Sequence, residues 1–239
     1  MKRKDIMLRR LDELLTSLGY ERITTPGIKG FFKVYPNYID LFTVGFYTKY
    51  DFIDLRFGKR SFPEVATLYN QIFEKTLYQS WAWCSKRIAI TPIIKDNVIP
   101  EDGTGYYGRD HFSADFDRWT GVDTEKALFE LCDWIAFHLE NEESEFSKRY
   151  RTLPSVLKKM EELDAKDLFL ADSKYGILYG NEDAQFTGLI ISKLCNDPRY
   201  EEKLERVKVY FSEDENEEWL PYFERFCSII EHVEPRYNV

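Results

Sequence analysis

The run from Phe31 to Phe62, FFKVYPNYIDLFTVGFYTKYDFIDLRFGKRSF, constrains the fold of this chain more than any other. Aromatic and β-branched residues at this density suit a pleated, half-buried surface far better than a helix. Three extended runs can be drawn, Gly30–Tyr35, Tyr38–Thr48 and Asp51–Arg60. Pro36-Asn37 supplies one turn, through a fixed φ followed by a residue that tolerates turn geometry. Lys49-Tyr50-Asp51 supplies a second, short hairpin connection. In the third run Ile53, Leu55 and Phe57 share one face, and Phe52, Asp54 and Arg56 the other. The middle run is apolar on both faces, with Ile39 and Leu41 on one and Phe42, Val44 and Phe46 on the other. It therefore belongs in the centre of an antiparallel sheet covered on each side, and Gly45 within it marks a bulge or a close approach.

The same aromatics, with Lys29, Lys33, Lys49 and Arg56, form the alternative of a stacking platform for single-stranded nucleic acid. Core packing is the stronger reading, because aromatic side chains mostly bury area and no RNA-recognition signature accompanies them. The charge agrees. The chain carries a net charge of −9, although residues 1–60 hold twelve Lys/Arg against seven Asp/Glu. An acidic protein is poorly suited to sequence-independent binding of phosphate backbones. Its basic N-terminal part can meet an acidic partner, or the acidic remainder of its own chain.

Helices are expected around the sheet. Ile6, Leu8, Leu11, Leu14, Leu15 and Leu18 make an apolar stripe over Lys4–Leu18, which Gly19 ends. Tyr20–Thr25 follows as a short strand, with Pro26-Gly27 as a turn. Ser61-Phe62-Pro63-Glu64 starts a helix whose face of Val65, Leu68, Tyr69, Ile72 and Phe73 can lie across the sheet. Leu77–Cys84 is ambiguous between helix end and strand. Lys86–Ile94 reads as an edge strand with Ile88, Ile90 and Ile94 inward, and Pro100–Trp119 as a long loop. From Asp123 onward the chain reads as helical. The expected helices are Thr124–Glu140 capped by Asp123, a short one after Pro154, Glu182–Leu194 capped by Asn181, Pro198–Tyr210, and Trp219–His232. Phe129, Trp134 and Phe137 widen the apolar surface of the first of these, which predicts burial on most of its sides. The charged segment Glu140–Arg151 and the acidic SEDENEE run read as connectors.

The fold class is thus α+β: an antiparallel sheet packed with helices over residues 1–119, then a helical region over 120–239. The heavily apolar helix at 124–140 suggests docking onto the sheet, which would make the two one continuous unit. No apolar run reaches the ~20 residues that span a bilayer, and the N-terminus lacks the pattern of a secretory signal. Cys84, Cys132, Cys195 and Cys227 are too widely spread for a zinc site or a disulfide framework. Free thiols in a reducing, cytoplasmic compartment are the simpler expectation.

The strongest chemical candidate is the run Arg109–Asp117. His111 with Asp110, Asp115 and Asp117 could ligate a divalent metal, or supply a general base with an orienting acid. Turn formers and caps are the more frequent use of such residues in a glycine-bearing loop. His138 and His232 read as solvent-facing or locally satisfied. Tyr175–Asn181 places Gly176 and Gly180 before a helix N-terminus, where an anion can bind, although a turn and a cap explain them equally well. No nucleophile elbow, phosphate loop or dinucleotide fingerprint occurs, and no cofactor is predicted.

One resemblance covers about a quarter of the chain. A leading helix ending LxxLGY (Leu15–Tyr20), then Lys29-Gly30-Phe31-Phe32 and the aromatic meander through Phe57, resembles bacterial α+β proteins, some of them grouped with toxin-immunity families. That resemblance implies a non-catalytic role, since immunity proteins act by occluding another protein. The competing expectation is a metal-assisted hydrolase using the 109–117 loop.

Overall fold

The computed structural model describes residues 3–23, 29–47, 52–73, 91, 93–95, 111–115, 124–141, 145–172 and 174–239. Helix α1 spans Arg3–Ser17 and ends as its sequence requires: Gly19 adopts φ +83°, open to glycine without a Cβ penalty. Strands β1 (Glu21–Arg22), β2 (Gly30–Val34), β3 (Ile39–Tyr47) and β4 (Phe52–Ser61) follow as an antiparallel meander. Pro36 and Asn37 form the tip of the connection between β2 and β3, closed by the Tyr35 N–H donating to the Tyr38 carbonyl at 2.9 Å. The turn expected at residues 49–51 lies outside the described residues.

Strands β5 (Ile94–Lys95) and β6 (His111–Asp115) both pair with β4, completing a six-stranded sheet in which β3 is interior. The long loop expected over 100–119 is therefore interrupted by a strand. Alternating His111, Phe112, Ser113, Ala114 and Asp115 suit an extended segment, and the glycines that suggested a loop all precede them. Of the strand expected over residues 86–94, only its end is described.

The two faces of β3 separate as its alternation demands. Phe42 and Val44 join Phe31 and Leu55 on one side, while Ile39 and Leu41 join Ile23 and Phe32 on the other. The bulge, however, lies on the neighbouring strand rather than at Gly45, which pairs in register with Asp54. Leu41 faces Lys59 but Thr43 faces Arg56, so Phe42 alone is opposed by Phe57 and Gly58. Gly58 takes φ +63°, the left-handed conformation of a glycine bulge. Leu55 opposes Val44 and Arg60 opposes Asp40, so an odd and an even position of β4 share one face.

The bulge thereby turns Arg60 into the protein. Its guanidinium is fully buried and lies 3.7 Å from the Tyr38 ring centroid. Nε and Nη2 donate to the two carboxylate oxygens of Asp40 at 2.7 and 3.0 Å, and Nη1 donates to the carbonyls of Ser147 and Tyr150 at 3.2 and 2.7 Å. Those carbonyls belong to the segment around the short helix α4 (Glu145–Arg149), which follows α3 (Thr124–Asn141). The charged connector expected over 140–151 is thus an anchored element, held further by buried Phe146 and Tyr150.

Helix α1 packs with α3 over the sheet, Met7, Leu8, Leu11 and Leu15 meeting Leu128, Leu131, Cys132 and Ile135. Helix α2 (Pro63–Ile72) goes elsewhere. Instead of lying across the sheet it packs on α6 (Glu182–Leu194) and α8 (Leu220–Ile230), in a second cluster shared with α5 (Leu153–Asp164) and α7 (Tyr200–Phe211). Phe73 explains the preference. Its ring meets Phe186 edge-on at 5.2 Å and stacks on Tyr222 at 5.2 Å. The SEDENEE connector closes into a 3-10 helix, Asp214–Trp219. The sheet reaches this cluster through backbone pairing, Lys95 N–H to Ile177 C=O and Tyr179 N–H to Ile93 C=O, each 2.9 Å. No helix among the described residues is long and apolar enough to cross a membrane.

Candidate functional site

Of the residues expected to carry chemistry, Asp110 and Asp117 lie outside the described residues. His111 and Asp115 occupy the two ends of β6, opposite Arg56 and Phe52 of β4. Positions four apart in a strand are about 13 Å apart along the backbone, so the strand by itself does not gather these two into a compact set. Among the described residues no group of three or more His, Cys, Asp or Glu could hold a metal ion. His138 stacks on Trp134, ring centroids 5.2 Å apart, and His232 is exposed near the end of the chain.

The two-glycine turn before α6 is filled from within. Gly180 has φ +86°, and a Cβ there would fall within 3 Å of the Asp183 side chain. Asp183 is itself buried and accepts a hydrogen bond from the Tyr69 hydroxyl at 2.6 Å. The chain's own carboxylate thus occupies the helix N-terminus, the place an anion would take. A Cβ on Gly176 would collide with the backbone of Ala171 and Asp172, so that glycine serves a close turn.

Several of the described aromatics proposed as a stacking platform are core residues. Phe31, Phe32 and Phe42 are buried, and Lys33 rests over the rings of Tyr20 and Tyr35 at 5.5 and 5.6 Å.

Two other features remain. The first is the outer face of α3, where burial on most sides was expected and is not found. Phe129, Trp134 and Phe137 are 37, 40 and 64% exposed, along an arc opposite the buried Leu128, Leu131, Cys132 and Ile135. Helical geometry gives the reason. With α1 and the sheet filling one side, side chains one to two turns apart on the opposite side of the helix point away from that core. Arg10 partly frames this face, its guanidinium 5.5 Å from the Phe129 ring centroid and 2.8 Å from Asp133 Oδ1.

The second is a cavity of about 380 Å3 between α5, α6, α7 and the turn at residues 167–170. Met160, Leu170, Leu189 and Val207 make its walls, and Asp164, Gln185, Lys203, Arg206 and Tyr210 bring polar groups to it. Lys203 is buried and bonded to the buried carboxylate of Asp197. Burial works against that carboxylate's charge, yet hydrogen bonds from Lys203 and the Arg199 N–H hold it below its usual range. Asp164 is shared between Arg206 at 2.7 Å and Arg199 at 2.9 Å; the two cations outweigh its partial burial and hold it low as well.

Sequence reasoning treated α7 only as an amphipathic helix. The available signal was the spacing of Arg199, Lys203, Arg206 and Tyr210, at i, i+4, i+7 and i+11 along one side. Comparison with family models, curated proteins and solved structures finds no match for this chain.

Proposed function

We propose that this protein is a non-catalytic interaction protein that uses the outer face of α3 to occlude a basic partner protein, in the manner of an immunity protein. The exposure of Phe137, Trp134 and Phe129 on one side of one helix carries the reading. Large aromatics left in solvent on a contiguous surface are costly to solubility, and such surfaces commonly mark contacts with other proteins. Charge selects the kind of partner. Glu125, Glu130, Asp133 and Glu140 are exposed on the same helix, in a chain of net charge −9, so a cationic surface with an apolar anchor is the complement. The resemblance of the first sixty residues to proteins grouped with toxin-immunity families supports the same role.

A photo-crosslinking residue placed at Phe137, with a control at exposed Val209, tests this in the source cells. The expected outcome is one discrete adduct at position 137 and none at 209. The captured protein should be basic, should lose its own activity when mixed with equimolar wild-type chain, and should bind the F137S variant at least tenfold more weakly. Equal labelling at both positions, or an adduct partner indifferent to F137S, would sink the proposal.

A further inference from the structure

The cavity between α5, α6 and α7 belongs to the helical cluster, not to the α3 face, and its chemistry is of a different kind. Lys203 has three N–H donors and spends one on Asp197. Arg206 has five and spends one, on Asp164 Oδ1 at 2.7 Å. The Tyr210 hydroxyl and the Gln185 amide make no side-chain hydrogen bond among the described residues, although both line the same space. Four polar side chains with unused hydrogen-bonding capacity therefore converge on a space walled by Met160, Leu170, Leu189 and Val207. A volume near 380 Å3 lies within the range of sites that enclose small ligands.

The sign of the ligand follows from how the charges are divided. Asp197 is fully buried behind Lys203, and its charge is spent on that ammonium. Asp164 gives one oxygen to Arg206 and the other to Arg199. Arg199 is drawn the opposite way by Glu202, at 2.8 Å. Asp167, the remaining acid of the lining, is exposed at the mouth. Lys203 and Arg206 each retain N–H donors beyond the one given to a carboxylate, whereas the acids of the lining are either spent or exposed. A planar carboxylate matches the fork of a guanidinium, and the neighbouring ammonium adds a second cationic donor one turn along α7.

We infer that this cavity binds a small amphiphilic carboxylate, with its head on Arg206 and Lys203 and its apolar body against Met160, Leu189 and Val207.

Titration calorimetry of the full chain with octanoate, octan-1-ol and octylamine tests the inference, since the three share a tail and differ only in the head. Octanoate should bind at one saturable site, and the alcohol and the amine at least tenfold more weakly. R206Q, a change at a half-exposed position that leaves the apolar walls in place, should weaken octanoate at least tenfold while its circular dichroism and melting temperature stay near wild type. L189W, which fills the space, should remove binding altogether. F137S should leave binding unchanged, because that residue lies on the separate α3 face. No saturable octanoate binding, equal binding of octan-1-ol, or indifference to R206Q would each overturn the inference. So would loss of binding in F137S, which would place the ligand on α3.

Discussion

Arg60 shows how one residue's position can depend on another two places away. Were β4 unbroken, Leu55 and Arg60 would face opposite sides of the sheet; the extra residue at Gly58 puts both on the same side. Once there, the guanidinium satisfies both oxygens of Asp40 and two backbone carbonyls near α4. Burial nevertheless pushes the Asp40 carboxyl above its ordinary range, with Arg60 pulling the other way. Such a pair holds a geometry more than it adds net stability. Breaking it from one side is another matter, because the remaining charge and carbonyls stay buried. R60M is expected to cost about 3–5 kcal/mol in urea denaturation. G58A should cost about 1–2 kcal/mol by the same measurement, since a Cβ is strained at φ +63°. A cost for G58A within error of zero would mean that the bulge relaxes without consequence for Arg60.

At the scale of elements, α3 departs most from its sequence pattern. Its buried residues, Leu128, Leu131, Cys132 and Ile135, were legible from spacing alone. The exposure of Phe129, Trp134 and Phe137 was not, because periodicity records which residues are apolar and not how many neighbours the fold supplies. Double replacement W134S/F137S should change stability by no more than about 0.5 kcal/mol, as surface changes usually do, while raising solubility. A large loss of stability would mean that this face is covered within the protein.

The segment at 236–237 makes a different kind of element. The Arg236 and Tyr237 N–H groups both donate to the Leu194 carbonyl, at 2.8 and 3.0 Å, and the Tyr237 hydroxyl donates to Glu64 at 2.9 Å. Partial burial first, then that hydrogen bond, push the tyrosine up to about 12. Because the folded value lies above the unfolded one near 10, its contribution is complete below pH 10 and is lost as pH rises through 12. The melting temperature should therefore fall over that interval, and Y237F should flatten part of the fall. Identical pH profiles for the two proteins would remove Tyr237 from the account.

At the scale of the whole molecule, the meander was readable because its alternation and turn chemistry agree; Pro36-Asn37 is one instance and the two faces of β3 another. The helices were readable from apolar spacing, Glu182–Leu194 to the residue. Which helix meets which partner was readable only in part. Docking of the helix at 124–140 onto the sheet was expected and is found, shared with α1, but α2, expected across the sheet, packs on α6 and α8 instead. These choices depend on shape complementarity among side chains distant in the chain, such as Phe73 with Phe186, which no local pattern records. The candidate cavity was hidden for the same reason, since its lining comes from three helices and a turn.

The interleaving has a measurable consequence. Cys132 lies in the sheet cluster and Cys195 in the helical one, both fully buried, and burial pushes each thiol up to about 12. Both should resist iodoacetamide at pH 8 and become reactive at the same urea concentration, as read by mass spectrometry. Separate transitions would show that the clusters unfold independently.

The placement of α2 also bears on how the protein comes off the ribosome. Val65, Tyr69, Ile72 and Phe73 emerge early, directly after the meander, but the surfaces that cover them, on α6 and α8, are made only much later. Until α6 and α8 have been made, this apolar helical face lacks the surfaces that cover it. The nascent chain thus presents a natural landing place for a holding chaperone, and slowing synthesis between α2 and α6 would lengthen that exposure instead of helping the fold form.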